Sequence, residues 1–109
     1  MFTKEEFTNG ELFLGDCFDV FDSIPDNSVD LVLCDLPYGY TNCAWDHVID
    51  IEKLWIQYER ICNDDSIIAL TASEPFSIDL INSNRKNYKY KWTWDKKFAG
   101  NFVQAKSRP

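Results

Sequence analysis

Residues 35–38 read Asp-Leu-Pro-Tyr and follow directly on Val29–Cys34, an apolar run interrupted only by Asp30. A carboxylate at the end of a buried run needs a partner, because burying an unpaired charge is costly. Either a structural partner meets Asp35 there, or the position is built to hold a ligand. On these residues alone both readings stand. Pro37 fixes its own φ and stiffens the loop, Tyr38 offers an aromatic face, and Gly39 permits close approach of the backbone.

The surrounding elements must place that stretch. The segment Glu-Leu-Phe-Leu-Gly-Asp at 11–16 reads as a short strand running into a turn. Residues 16–24 read as a short helix with Phe18, Val20 and Phe21 inward. Pro-Asp-Asn-Ser at 25–28 is a turn, in which Asp26 and Asn27 bond their own backbone. The continuous apolar run Val29–Cys34 fits a strand covered on both faces, as in a parallel sheet. Ile51, Leu54, Trp55, Tyr58, Ile61 and Cys62 recur at spacings of three and four, the pattern of an amphipathic helix, with Asp50 as N-cap. Ser66–Thr71 predicts another strand. Ser73 or Glu74 caps a second such helix with Pro75 in its first turn. Tyr88, Tyr90, Trp92 and Trp94 alternate with Lys89, Lys91 and Thr93, which predicts a strand with one packed face and one wet face. Residues 95–109 read as a basic loop or tail. The order strand, helix, strand, helix, strand, helix, strand predicts an α/β fold, a mostly parallel sheet with flanking helices. In such sheets ligands bind beyond the carboxyl ends of strands, which is where Asp35 falls.

At 109 residues the chain is one small domain or part of a larger one. Cys17, Cys34, Cys43 and Cys62 form no Cys-x-x-Cys pair and His47 is the lone histidine, so metal-site spacing is absent. Cys34 and Cys62 lie in apolar stretches and read as small buried hydrophobes. No signal-peptide pattern and no run of membrane-spanning length is present, and the reading is a reduced, cytoplasmic protein. Charge is lopsided: residues 1–84 carry net −14 and residues 85–109 net +7, for −7 overall. The acidic balance argues against a nonspecific nucleic-acid binder, and the basic last quarter reads either as a solvated face or as a surface that meets phosphates.

Leu-Gly-Asp-Cys at 14–17 followed by Asp-Asn-Ser-Val-Asp-Leu-Val-Leu-Cys-Asp-Leu-Pro-Tyr-Gly at 26–39 resembles the amino-methylating DNA methyltransferases, whose hallmark is Asp/Asn/Ser-Pro-Pro-Tyr/Phe/Trp. Further stretches resemble the phage-type adenine methyltransferases in the same order. They are Trp45-Asp46, Leu-Trp-x-Gln-Tyr-Glu-Arg at 54–60, Ala-Leu-Thr-Ala-Ser-Glu-Pro-Phe at 69–76, Trp-x-Trp-x-Lys at 92–96 and Asn-Phe-x-x-Ala-Lys-x-x-Pro at 101–109. The resemblance implies a partial Rossmann-like, S-adenosylmethionine-dependent methyltransferase fold. It also implies methyl transfer from S-adenosylmethionine to the exocyclic amine of a base flipped out of double-stranded DNA. That amine is a poor nucleophile, since its lone pair is delocalised into the ring. By the resemblance, the Asp35 side chain and the Leu36 carbonyl accept its two hydrogens, drawing the nitrogen toward a tetrahedral shape; these bonds strengthen in the transition state. Leucine in place of the first proline leaves that carbonyl intact. Pro37 fixes the angle of approach and Tyr38 stacks on the base. Asp16 corresponds to a position that contacts the adenosine part of the cofactor. Lys96, Asn101 and Phe102 correspond to the segment lining the target-base pocket and facing DNA. Asp at the first motif position leans toward adenine; an N4-cytosine enzyme is the alternative.

Plainer readings stand beside these. Asp35 caps a turn and Tyr38 packs; Gly15-Asp16 is a turn; the tail is a basic loop; His47 is a surface or helix-start residue; Trp45 and Trp55 are core. The family's cofactor loop, Phe-x-Gly-x-Gly, is absent, since Gly10, Gly15, Gly39 and Gly100 are not so spaced. The expectation is therefore an N-terminal, catalytic-motif part of a methyltransferase, inactive alone, with an open sheet edge that invites a homodimer or a missing C-terminal half. Two rivals remain. One is a non-catalytic remnant acting as an interaction domain. The other is a nucleic-acid binder that stacks bases on the aromatics beside Lys89 and Lys91.

Overall fold

A computed structural model describes residues 1–39, 42–44 and 46–96. The elements run β1 (Phe2–Phe7), β2 (Gly10–Gly15), α1 (Cys17–Phe21), β3 (Val29–Asp35), α2 (Ile51–Ile61), β4 (Cys62–Thr71) and α3 (Phe76–Ser83), then a 3-10 turn at Arg85–Asn87. The class is α/β, as the sequence predicts. The sheet is not mostly parallel, however. Among the described residues there are two two-stranded sheets, an antiparallel β1–β2 hairpin and a parallel β3–β4 pair.

β3, α2 and β4 form the parallel unit, with α2 as the crossover. α2 forms where the apolar spacing predicts it. Asp50 caps it by accepting from the Lys53 N–H at 3.2 Å. Its apolar stripe buries Leu54, Tyr58 and Ile61. These meet Phe21 of α1, Leu36 after β3, and Phe76 and Leu80 of α3 in one core. Tyr58 packs edge-to-face on Phe21, with ring centroids 5.9 Å apart. Trp55 is structural, as its plainer reading had it: Nε1 donates to Ser83 Oγ at 2.8 Å and ties α2 to α3.

Four expectations need correction. The run Val29–Cys34 is covered on one face only. Val32, Cys34, Ile68 and Leu70 pack on the core, whereas Leu31, Leu33 and Ile67 are 58%, 76% and 65% exposed. Paired Leu31↔Ile67 and Leu33↔Ala69, they make a bare apolar strip on the outer face. The predicted strand Tyr88–Trp94 belongs to no strand or helix, and Trp92 and Trp94 are 85% and 80% exposed. Alternation supplies an apolar face but not a neighbouring strand, and an unpaired ribbon has nothing to hold it extended. α3 begins at Phe76, so Pro75 stands at the N-cap position, where it makes no side-chain cap bond, rather than in the first turn. The turn at 25–28 is held by the Ser28 hydroxyl, which donates to the Pro25 carbonyl at 2.6 Å, and from α2, rather than by Asp26 and Asn27 bonding their own backbone. The Asn27 N–H donates to the Arg60 carbonyl at 3.0 Å, the Ser28 N–H to Ile61 at 2.8 Å, and the Asp26 carboxylate receives Arg60.

Candidate ligand cavity at the end of β3

Asp35 closes β3 and is exposed rather than buried. No lysine or arginine pairs with it among the described residues. Its Oδ1 accepts from Thr71 Oγ1 at 2.5 Å and takes a longer 3.5 Å contact from the Tyr38 hydroxyl. Thr71 is its register partner at the end of β4. Leu36 is 4% exposed and plugs the core, so the backbone beside Asp35 is anchored by its own side chain. The Tyr38 ring stacks on Phe76, with centroids 5.2 Å apart and planes at 25°. The loop then turns at Gly39, whose φ of +77° suits glycine, and a Cβ there would come within 3.0 Å of Val48 Cγ2.

Buried Asp46 closes that turn: Oδ1 accepts from the Gly39 N–H at 2.9 Å. Asp46→Ala removes the acceptor and is expected to cost about 1–2 kcal/mol, read as a lower urea midpoint with an unchanged slope. Asp46→Asn keeps an acceptor oxygen and should recover most of it.

Between the end of β3, the start of α1 and the segment leading into α2 lies a cavity of about 470 Å³. Its lining includes Gly15, Asp16, Cys34, Asp35, Leu36, Pro37, His47 and Asp50. Asp16 also caps α1, accepting from the Phe18 N–H at 2.9 Å. Gly15 is needed where β2 meets this site, because a Cβ there would fall 2.7 Å from Phe2 Cβ. Asp16, Asp35 and Asp50 line the cavity without a lysine or arginine, so its field favours cationic or amine-bearing ligands over phosphates. Cys17 and Cys34 contribute thiols. Burial, helped by the neighbouring Asp16, pushes the Cys17 thiol up, so it stays protonated at neutral pH. Behind Cys34, burial and then a hydrogen bond with that thiol drive the Tyr58 phenol far above its ordinary value.

The structure thus brings together Asp16, Asp35, Leu36 and Pro37, which lie far apart or carry separate expectations in the sequence. Tyr38 adjoins them but does not line the cavity. Lys96 lies away from it, with its ammonium 5.2 Å from the Trp94 ring centroid. Trp45, Asn101 and Phe102 fall outside the described residues. Sequence reasoning missed the parts played by His47, Asp46 and Thr71. His47 is exposed, as expected of a surface residue, yet it also lines the cavity. Among the described residues no cluster of His, Cys, Asp and Glu is placed to hold a metal ion, and no helix is long and apolar enough to cross a membrane. No protein-family model matches the chain, and no solved structure matches it.

Proposed function

We propose that the chain is the motif-bearing part of an S-adenosylmethionine-dependent DNA methyltransferase acting on the N6 amine of adenine. One observation carries the reading: a single cavity gathers Asp16 with Asp35, Leu36 and Pro37. Its volume lies in the range of small-molecule sites, roughly 300–1,000 Å³. Its carboxylates suit a ligand bearing a sulfonium and an ammonium group, and the absence of basic lining residues fits a cofactor without phosphates. S-adenosylmethionine, when bound, supplies an electrophilic methyl group. The residues of this chain would do the rest. Asp35 and the Leu36 carbonyl would hold the two amine hydrogens of the extruded base, and Pro37 would fix their angle. Tyr38, braced on Phe76, would face the ring. Asp35 is exposed and unpaired with any cation among the described residues, as an acceptor waiting for an amine must be. The finer fold in this proposal is a Rossmann-like sheet of which β3–α2–β4 is one unit. Its partners are double-stranded DNA and either a second copy or the C-terminal half that would carry a Phe-x-Gly-x-Gly loop.

Titration with millimolar S-adenosylmethionine, followed by amide chemical shifts, tests the proposal. Weak, saturable shifts are expected at 15–18, 34–36 and 47–50, reduced in Asp16→Asn, which keeps the helix cap but removes the charge. The chain alone should transfer no methyl group to DNA. An unchanged spectrum at saturating cofactor would instead favour a non-catalytic interaction domain.

A further inference from the structure

The geometry points to Thr71 as a positioning residue that selects which oxygen of Asp35 meets the substrate amine. The inference rests on the methyltransferase reading and goes one residue beyond it. Thr71 Oγ1 donates to Asp35 Oδ1, and the long contact from the Tyr38 hydroxyl goes to the same oxygen. Among the described residues Oδ2 forms no hydrogen bond or ion pair. Asp35 lines the cavity and Thr71 does not, so the hold is applied from outside the ligand space.

A free carboxylate turns about its last bond and presents either oxygen, so an incoming N–H must first select one orientation. Tethering Oδ1 to the neighbouring strand removes that freedom. Thr71 is well placed for the task. It is the register partner of Asp35, held by the parallel ladder, and its branched side chain has few rotamers. Two acceptors must meet two hydrogens at fixed angles, and only one of them, the Leu36 carbonyl, is rigid by itself.

The test compares binding of adenosine with that of purine riboside, which lacks the exocyclic amine, by amide shift titration of the full chain. Wild type should prefer adenosine about tenfold, the worth of one good hydrogen bond to a charged acceptor. In Asp35→Ala that preference should fall to within about twofold, the share left to the Leu36 carbonyl, which assigns the rest to this carboxylate. Thr71→Val, matched in shape but without the hydroxyl, should bring the preference within about twofold, and Thr71→Ser should restore it. Thr71→Ala carries the same comparison if the valine variant fails to fold. A full preference retained in Thr71→Val and Thr71→Ala overturns the role of Thr71 and leaves the amine grip standing. A wild type that binds both nucleosides equally, or a full preference of about tenfold that survives Asp35→Ala, overturns the amine grip itself and this inference with it.

Discussion

Arg60→Ala is expected to lower the free energy of unfolding by about 3 kcal/mol, seen as a large drop in the urea midpoint. One guanidinium organises the whole passage from α1 to β3. Nη2 donates to the Phe21 carbonyl at 2.7 Å, Nη1 to the Ile24 carbonyl at 2.8 Å and to Asp26 Oδ1 at 2.7 Å, and Nε to Gln57 Oε1 at 3.1 Å. Phe21 and Ile24 sit at and just past the end of α1, where helix carbonyls lack intrahelical partners. Removing the fork leaves both carbonyls short of a charged donor in partly buried surroundings. The Asp26 contact adds little, because that side chain is 69% exposed. Arg60→Lys should recover only part of the loss, since one ammonium cannot span the geometry of a planar fork. An Arg60→Ala midpoint within error of wild type would mean that the turn is held by its backbone bonds to α2 alone.

Leu54→Ala should cost a similar amount, about 3 kcal/mol, within the 2–5 kcal/mol typical of such truncations. Leu54 is 1% exposed, the deepest large side chain among the described residues, on the face that α2 turns to the core. The sheet has only one covered face, so the core is thin and a cavity at its centre has few neighbours able to close it. Ile56, on the same helix and 63% exposed, is the internal control. Ile56→Ala should stay within about 0.5 kcal/mol of wild type in the same denaturation series. Equal losses at the two positions would mean that α2 presents a different face to the core.

That contrast shows what could be read in advance. α2 was legible because its signals are local: apolar residues three and four apart and an aspartate at the boundary. β1 was not, because Lys4, Glu5 and Glu6 fill half its six positions. It exists through pairing with β2, helped by the Phe2–Phe13 contact and the cross-strand Lys4–Glu11 ion pair. Residues 88–94 fail in the opposite sense, since strict alternation states what a ribbon would bury and not whether a neighbour exists. Leu31 and Leu33 teach the same lesson, because apolar composition marks a face suited to burial without guaranteeing a cover. In the site, Asp16 and Asp35 could be named separately, but their meeting depends on where α1 starts relative to the end of β3. His47 has no sequence signal that distinguishes it from a surface histidine. Thr71 reads as any strand threonine until the β3–β4 register sets it opposite Asp35.

The bare strip of Leu31, Leu33 and Ile67 makes the protein's colloidal behaviour depend on its charge. At neutral pH a net −7 keeps neighbouring molecules apart, and the greasy patch is harmless while that repulsion lasts. Concentrated salt shortens its reach, and acidification toward the isoelectric point near 4.5 abolishes it. Dilute, mildly alkaline, low-salt buffer is therefore the medium in which this chain keeps its own company least.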